Sequence, residues 1–326
     1  MKKNLNKICA LFLFFALVPC MFASGKKDKE LRAVAKKGMQ SVPFAYLCEN
    51  KPKLGKGVQF TFAAYAEYEQ VLSDIVQGKA ALGVLPVAVA TKVFEKDKDS
   101  IVALGVCGNG NLYVLSKDAS VSSLSHLKGR SVTSCMKDTD VDYVLRYLLK
   151  KNDIPLNQGE DGVAIDFSVA PADVTASFVS ETVQCAVLPE PYASVAEMKG
   201  DGVVRNIDLQ KEYASVEQGE SFPAFLLVAN KKYLEENKSL VHAFVSAYKT
   251  ATDWTNAKAS RAAVLAQKYD LGMMAPVVSH SIPYASFTWV DAKTARPSIE
   301  TLLKNFSSVS ASAGKELPDE TFYYVF

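Results

Sequence analysis

Short apolar runs recur along this chain, each stopping at glycine or proline before a segment whose apolar residues fall at helical spacing. Glu30-Leu31-Arg32-Ala33-Val34-Ala35 has strand character and ends at Gly38, after which Ser41 fits an N-cap for a helix toward Glu49. Val58-Gln59-Phe60-Thr61-Phe62 alternates as a half-buried strand does, and Tyr68, Val71, Leu72, Ile75 and Val76 then share one helical face that closes at Gly78. Gly83-Val84-Leu85 stops at Pro86 with helical sequence behind it, and Ile101–Cys107 reads as a buried strand. Gly108-Asn109-Gly110-Asn111 interrupts that strand before Leu112–Ser116 resumes; two glycines around Asn permit a hairpin, a bulge or a close backbone approach to a ligand.

A second cycle starts at Ser122. Leu124–Gly129 predicts a short helix, Ser131–Cys135 a strand, and Thr139 or Asp140 the cap of a helix carrying Val141, Val144, Leu145, Leu148 and Leu149. Val163–Val169 predicts a strand, Ala172–Glu181 a helix, and Ala186-Val187-Leu188-Pro189-Glu190-Pro191-Tyr192 another strand running into a helix. Pro223–Ala229 returns to a strand pattern, Val241, Phe244, Tyr248 and Ala251 mark a long helix, and Leu302 with Phe306 mark a last one. This βαβα alternation predicts an α/β fold with mostly parallel sheets.

The stretches from Gly83 and from Ala186 stay in register at a constant offset of 103 residues. A period that long exceeds solenoid repeats of roughly 20–50 residues and predicts two lobes of similar architecture. The lobes are expected at 26–118 plus 224–326 and at 119–223, joined by two hinge crossings near 116–121 and 219–224.

Composition narrows the picture. The chain has 326 residues, of which 49% are hydrophobic, enough for two cores. The net charge of +2 comes from a leader: Lys2, Lys3 and Lys7 precede the apolar run Ile8–Val18, and beyond residue 25 the chain holds 34 basic against 35 acidic residues. Near-neutral charge gives no basis for nucleic-acid binding. The leader, residues 1–25, reads as an export signal, its apolar run Ile8–Val18 being too short to span a bilayer core of roughly 30 Å. Two exits compete: Ala23-Ser24-Gly25 suits a soluble signal peptidase, whereas Leu17-Val18-Pro19-Cys20 resembles a lipobox that would lipidate Cys20, although Pro19 is a poor fit there. Cys48, Cys107, Cys135 and Cys185 are widely spaced without a CxxC pair, so no metal is expected, and one disulfide stays open. HExxH, P-loop and GxGxxG patterns are absent, so no cofactor is expected.

Four marks together resemble one family: Gly78-Lys79-Ala80-Ala81-Leu82-Gly83-Val84-Leu85-Pro86, Leu124-Ser125-His126-Leu127-Lys128-Gly129-Arg130-Ser131-Val132, the Ala186–Tyr192 stretch, and Leu317-Pro318-Asp319-Glu320-Thr321-Phe322-Tyr323. The chain is similar to the substrate-binding proteins of ABC importers that handle nitrate, alkylsulphonates, taurine and thiamine-pyrimidine precursors. The resemblance implies a two-lobed periplasmic binding protein fold of type II, a monomer outside the cytoplasm that holds a small-molecule ligand in its cleft. It also implies closure that presents the complex to an ABC permease in the cytoplasmic membrane.

Ligands of open α/β sheets bind beyond the carboxyl ends of the strands. In the first lobe that selects Met39, Gln40, Tyr65, Pro86, Asn109 and Gly110, and in the second Ser134, Cys135, Thr139, Glu190 and Tyr192, with Phe222 at the second crossing. Tyr65, Tyr192 and Met39 are equally packing candidates, and Ser134, Thr139 and Glu190 equally helix caps. No arginine lies in these loops and Lys137 is the nearby cation, so a strong anion lacks its bidentate partner. Tyr65, Tyr192, Phe222 and Glu190 suit a neutral or cationic, heteroaromatic, thiamine-precursor-like solute. The alternatives are a sulphonate- or nitrate-type anion binder and a same-fold enzyme of the thiamine-pyrimidine type; against the enzyme, His126, His242 and His280 fall on predicted helices away from the strand ends.

Overall fold

A computed structural model describes residues 29–134, 136–314 and 316–326. The export signal with Cys20 and the site candidate Cys135 lie outside the described residues.

The chain begins with β1 (Lys29–Lys36), a 3-10 turn at Met39–Ser41, α1 (Val42–Asn50), β2 (Val58–Tyr65), α2 (Tyr68–Val76), β3 (Leu82–Pro86), α3 (Val87–Lys96) and β4 (Ile101–Asn109). It continues with β5 (Leu112–Ser116), a 3-10 turn at Leu124–Leu127, β6 (Arg130–Ser134), α4 (Asp140–Lys151), β7 (Val163–Asp166), α5 (Val174–Val179), β8 (Cys185–Pro189), α6 (Tyr192–Lys199), β9 (Val204–Asp208) and α7 (Leu209–Val216). The remainder is β10 (Pro223–Asn230), α8 (Lys231–Glu236), α9 (Lys238–Ala257), α10 (Ala259–Lys268), α11 (Ala275–Ser281), a 3-10 turn at Ile282–Tyr284, β11 (Phe287–Asp291) and α12 (Ala292–Ser307).

Two sheets result, in the orders β11-β4-β10-β3-β1-β2 and β7-β6-β8-β5-β9. Read from β2 and from β7, five strands of each order correspond, and β11 adds a sixth strand to the first sheet. In the first, β1 pairs parallel with β2 and β3, and β10 runs antiparallel between β3 and β4. In the second, β6 pairs parallel with β7 and β8, and β5 runs antiparallel between β8 and β9. Each sheet therefore receives its antiparallel strand from the chain that has just left the other.

That placement corrects one expectation. The sequence pattern places the apolar run Leu112–Ser116 in the first lobe, with a crossing at 116–121; as β5 it instead sits inside the second sheet, so the chain has crossed by 110–111. The run is apolar on both faces because Leu112 and Val114 enter one core and Tyr113 and Leu115 another, and local sequence is the same whichever sheet it joins. The second crossing occupies 217–222, between α7 and β10.

The first lobe packs α1 and α9 on one face of its sheet around Phe44, Leu47, Phe244 and Tyr248, while α2 and α3 cover the other through Val71, Ile75, Val87 and Phe94. Helix α12 leaves the first lobe and reaches the second. Its Phe306 ring lies 5.4 Å from Tyr143 and 6.4 Å from Phe222, Phe222 lies 5.6 Å from Tyr213, and the Asn305 amide donates to the Tyr213 hydroxyl at 3.1 Å. Burying each such ring contributes ~1.5–3 kcal/mol, so this aromatic cluster ties the lobes at the second crossing. Among the described residues no helix is long and apolar enough to cross a membrane.

Candidate functional site

The carboxyl ends of β1 and β4 in one lobe and of β6 and β8 in the other carry the polar groups of greatest interest. Gln40 is buried just after β1, and neither its amide oxygen nor its amide nitrogen has a hydrogen-bond partner among the described residues. It rests on Gly108 of β4, where a Cβ would stand 2.8 Å from the Gln40 Oε1; a side chain at 108 would expel the amide from this position. Ser134, the last residue of β6, is fully buried with its hydroxyl equally unpartnered. Glu190 follows β8 with its side chain 0% exposed; Oε1 accepts from Arg205 Nη1 at 2.6 Å, and Oε2 has no partner.

A buried polar atom without a partner costs roughly 1–3 kcal/mol. Gln40, Ser134 and Glu190 are three such residues at strand ends of the two lobes; Tyr248, Thr252, Ser281 and Tyr323 are others elsewhere in the fold.

The other sequence-selected residues sit differently. Met39 packs among Val42, Ala45 and Ala262 behind the strand ends. The Tyr65 hydroxyl donates to Asp74 at 2.6 Å and accepts from Arg32 at 2.7 Å, which commits it to the first lobe; the Asp74 hydrogen bond and burial raise its pKa. Pro86 ends β3 opposite Phe225, and the Asn109 N–H donates to the Ser286 carbonyl. Gly110 forms the first crossing: its N–H donates to the Phe222 carbonyl at 2.8 Å, and a Cβ there would stand 2.1 Å from the Phe222 ring. Thr139 precedes α4, exposed, its hydroxyl donating to the Met136 carbonyl at 2.7 Å. Tyr192 opens α6, half-buried against the core under β5 and β8. Phe222 is fully buried in the hinge cluster.

The structure also brings forward groups that sequence reading passed over. Asp140 at the start of α4 has a pKa raised to about 7 by burial, with the Lys92 ammonium on α3 pulling it back. Tyr68, at the start of α2, is raised by burial and then by the Asp140 charge, and the Lys36 ammonium lies 5.0 Å over its ring. Lys92 and Tyr68 belong to the first lobe and Asp140 to the second, so Asp140 stands within electrostatic reach of the facing lobe. In the sequence Asp140 reads only as a helix cap, with no mark of the partner lobe.

Arg205 on β9 is the second omission. Its Nη2 donates to Glu197 at 2.7 Å and to Ser194 at 3.4 Å, besides the Nη1 bond to Glu190, and its guanidinium lies against Tyr113 and Tyr284, whose rings meet edge to face. Both terminal nitrogens are thus bound by carboxylates of its own lobe, while Nε is buried without a partner. Cys48, Cys107 and Cys185 are free thiols; burial pushes them up to about 11, about 12 and about 12, which makes them inert nucleophiles. Among the described residues no group of three acidic, histidine or cysteine side chains could hold a metal ion.

The sequence profile of the NMT1-like family matches residues 64–268, more than half of the chain and including the whole of the second lobe. The chain belongs to the NMT1-like family. A search of curated proteins gives no match. Among solved structures, an ABC transporter from Parabacteroides distasonis is similar at 18% identity over 91% of this chain and 99% of that one, with a TM-score of 0.77. The periplasmic aliphatic sulphonate binding protein SsuA from Escherichia coli aligns at 18% identity over 86% of each chain, with a TM-score of 0.67. The periplasmic nitrate-binding protein NrtA from Synechocystis PCC 6803 aligns at 10% identity over 85% of this chain and 80% of that one, with a TM-score of 0.60. At these identities the likeness establishes the fold: this member of the NMT1-like family has the two-lobed α/β architecture of periplasmic binding proteins.

Proposed function

We propose that this NMT1-like chain is the solute-binding component of an ABC importer, working outside the cytoplasm and closing its two lobes around a small organic molecule. The observation that carries the reading is the set of buried, unpartnered polar groups on Gln40, Ser134 and Glu190, drawn from both lobes at the strand ends. Two crossings, at 110–111 and 217–222, suit hinge closure. The basic-then-apolar leader supports export, either released at Ala23-Ser24-Gly25 or anchored through a lipid on Cys20, and a membrane permease is the partner such a role requires.

The amide of Gln40, the hydroxyl of Ser134 and the second oxygen of Glu190 offer both donors and acceptors, which fits a neutral or cationic, heteroaromatic, thiamine-precursor-like solute with its own N–H groups. The sulphonate and nitrate ligands named for the structural neighbours are anions, and the guanidinium nearest to this site is already held by Glu190 and Glu197. A thermal-shift screen tests the reading. Neutral or cationic nitrogen heterocycles are expected to raise the melting temperature, and Glu190→Gln to reduce that rise. A screen in which only sulphonates or nitrate stabilise the chain would overturn the solute class.

A further inference from the structure

One guanidinium lies against two rings that come from opposite lobes. The Arg205 carbon lies 4.1 Å from the ring centroid of Tyr113 on β5 and 3.7 Å from that of Tyr284, in the turn between α11 and β11. Tyr284 belongs to the first lobe, because its neighbours Ile282 and Ala285 pack with Met39 and Val42 beside α1. Tyr113 and Arg205 belong to the second sheet. Around the guanidinium, the Tyr113 hydroxyl donates to the Tyr284 carbonyl at 2.8 Å, and His280 Nε2 stands 3.3 Å from the Glu197 oxygen that also binds Arg205.

The position of the guanidinium matters as much as its contacts. Tyr113 stands just beyond the first crossing, and the Asn109 N–H on the near side donates to the Ser286 carbonyl, beside Tyr284. The guanidinium therefore sits at the hinge, against one ring from each lobe, with an arginine side chain only 9% exposed. The rings themselves meet edge to face, 6.0 Å between centroids and 81° between planes, so the cation lies against both at once and attracts each through its π face. On its edge the same cation fixes Glu190.

We propose that Arg205, held against Tyr113 of its own lobe and Tyr284 of the other, is a positioning residue that links the orientation of Glu190 at the strand ends to the relative placement of the two lobes. The assignment of Glu190 to the ligand wall rests on the function proposed above; the contact itself does not. Removing the Tyr284 ring takes away the first-lobe contact of the guanidinium. Both ion pairs of Arg205 stay within the second lobe, and the Tyr113 hydroxyl keeps its bond, since its acceptor is a backbone carbonyl.

The test uses the full chain without solute. Tyr284→Ala, Tyr284→Phe and wild type are compared by small-angle scattering and by hydrogen exchange of two segments: the crossing at Asn109–Gly110, and Pro189–Tyr192, where proline lacks an amide and only Glu190 and Tyr192 report. The Glu190 N–H donates to the Asn111 carbonyl at 3.1 Å, so its exchange reads the attachment of the ligand wall to the crossing. Tyr284→Ala is expected to enlarge the particle and to speed exchange in both segments by about tenfold or more, while Tyr284→Phe matches wild type. Unchanged exchange and scattering in Tyr284→Ala would overturn the proposal, as would a Phe variant as perturbed as the Ala variant. Tyr284 is 37% exposed, so its loss empties no core, and Arg205→Lys is the second probe: it keeps the charge, loses the fork, and is expected to speed exchange in Pro189–Tyr192. Unaltered exchange there in Arg205→Lys would contradict the link to Glu190. No solute enters these measurements, so they succeed or fail independently of whether the chain binds one.

Discussion

The strand–proline–helix unit occurs once in each lobe, and its two copies do different work. β3 with α3 and β8 with α6 keep the offset of 103 residues through the strands, and each strand has a parallel neighbour on one side and an antiparallel one on the other. The divergence lies on the helix face. Val87, Thr91 and Phe94 in the first copy are buried, with Val87 and Phe94 in the core and the Thr91 hydroxyl turned back to the Val87 carbonyl. Their counterparts Glu190, Ser194 and Glu197 all bind Arg205. A turn that needs only its backbone and its strand for the fold leaves the following face open to chemistry, and the second lobe has placed an ion cluster there.

Breaking the two faces separates them most strongly. Phe94→Ala is expected to cost ~3–5 kcal/mol through the cavity it leaves, at any pH. Arg205→Ala is expected to cost ~3–5 kcal/mol by a different route, because it leaves the wholly buried Glu190 carboxylate without its counter-charge. Denaturant unfolding distinguishes the two: adding Glu190→Gln and Glu197→Gln to Arg205→Ala should restore a large part of the loss, whereas nothing of that kind rescues Phe94→Ala.

Gly110→Ala tests how the copies are joined. Its Cβ would meet the Phe222 ring at 2.1 Å, so a loss of ~1–3 kcal/mol is expected, relieved in part by Phe222→Leu. Asp140→Asn probes the facing lobes. The raised pKa of about 7 means that the contribution of Asp140 is fully present below its ordinary value of 3.8 and is lost as pH rises through about 7. The Asn variant should therefore match wild type near pH 4 and be the more stable by ~1–2 kcal/mol at pH 8, after discounting for the water that reaches a half-buried side chain. Thermal unfolding across that range checks the sign.

The smallest effect is at Glu197. Burial pushes its pKa up, but the Arg205 hydrogen bond and charge, with His280, outweigh this and leave it lowered from 4.5. Its stabilisation is present above that ordinary value and is lost as pH falls through the lowered one, so wild type should lead Glu197→Gln by under ~1 kcal/mol at pH 6 and by less near pH 3.

Sequence reading located most of the strands because an apolar run that stops at proline, as at Leu82–Pro86 and Cys185–Pro189, carries its own boundary. It misplaced β5, since Leu112–Ser116 acquires its sheet from β8 and β9, far along the chain. Gln40, Ser134 and Glu190 are picked out by position alone as residues at strand ends, and the structure has them buried there with unpartnered polar atoms. The hold on Glu190 was not legible, because Arg205 reaches it through the register of β9 beside β5 and the arrival of Tyr284 from the other lobe. Tyr65 and Phe222 were also selected by position, yet the one is bonded to Asp74 and the other is sealed in the hinge cluster, partners that no local pattern announces.

The central claim, that two lobes close on one small solute, is tested most directly by native mass spectrometry of the chain purified from its own source. The account predicts a one-to-one adduct of a small organic molecule that is lost on unfolding and that contracts the stripped chain in solution scattering when returned. A chain that carries no adduct, and that no small solute contracts or stabilises, would contradict it.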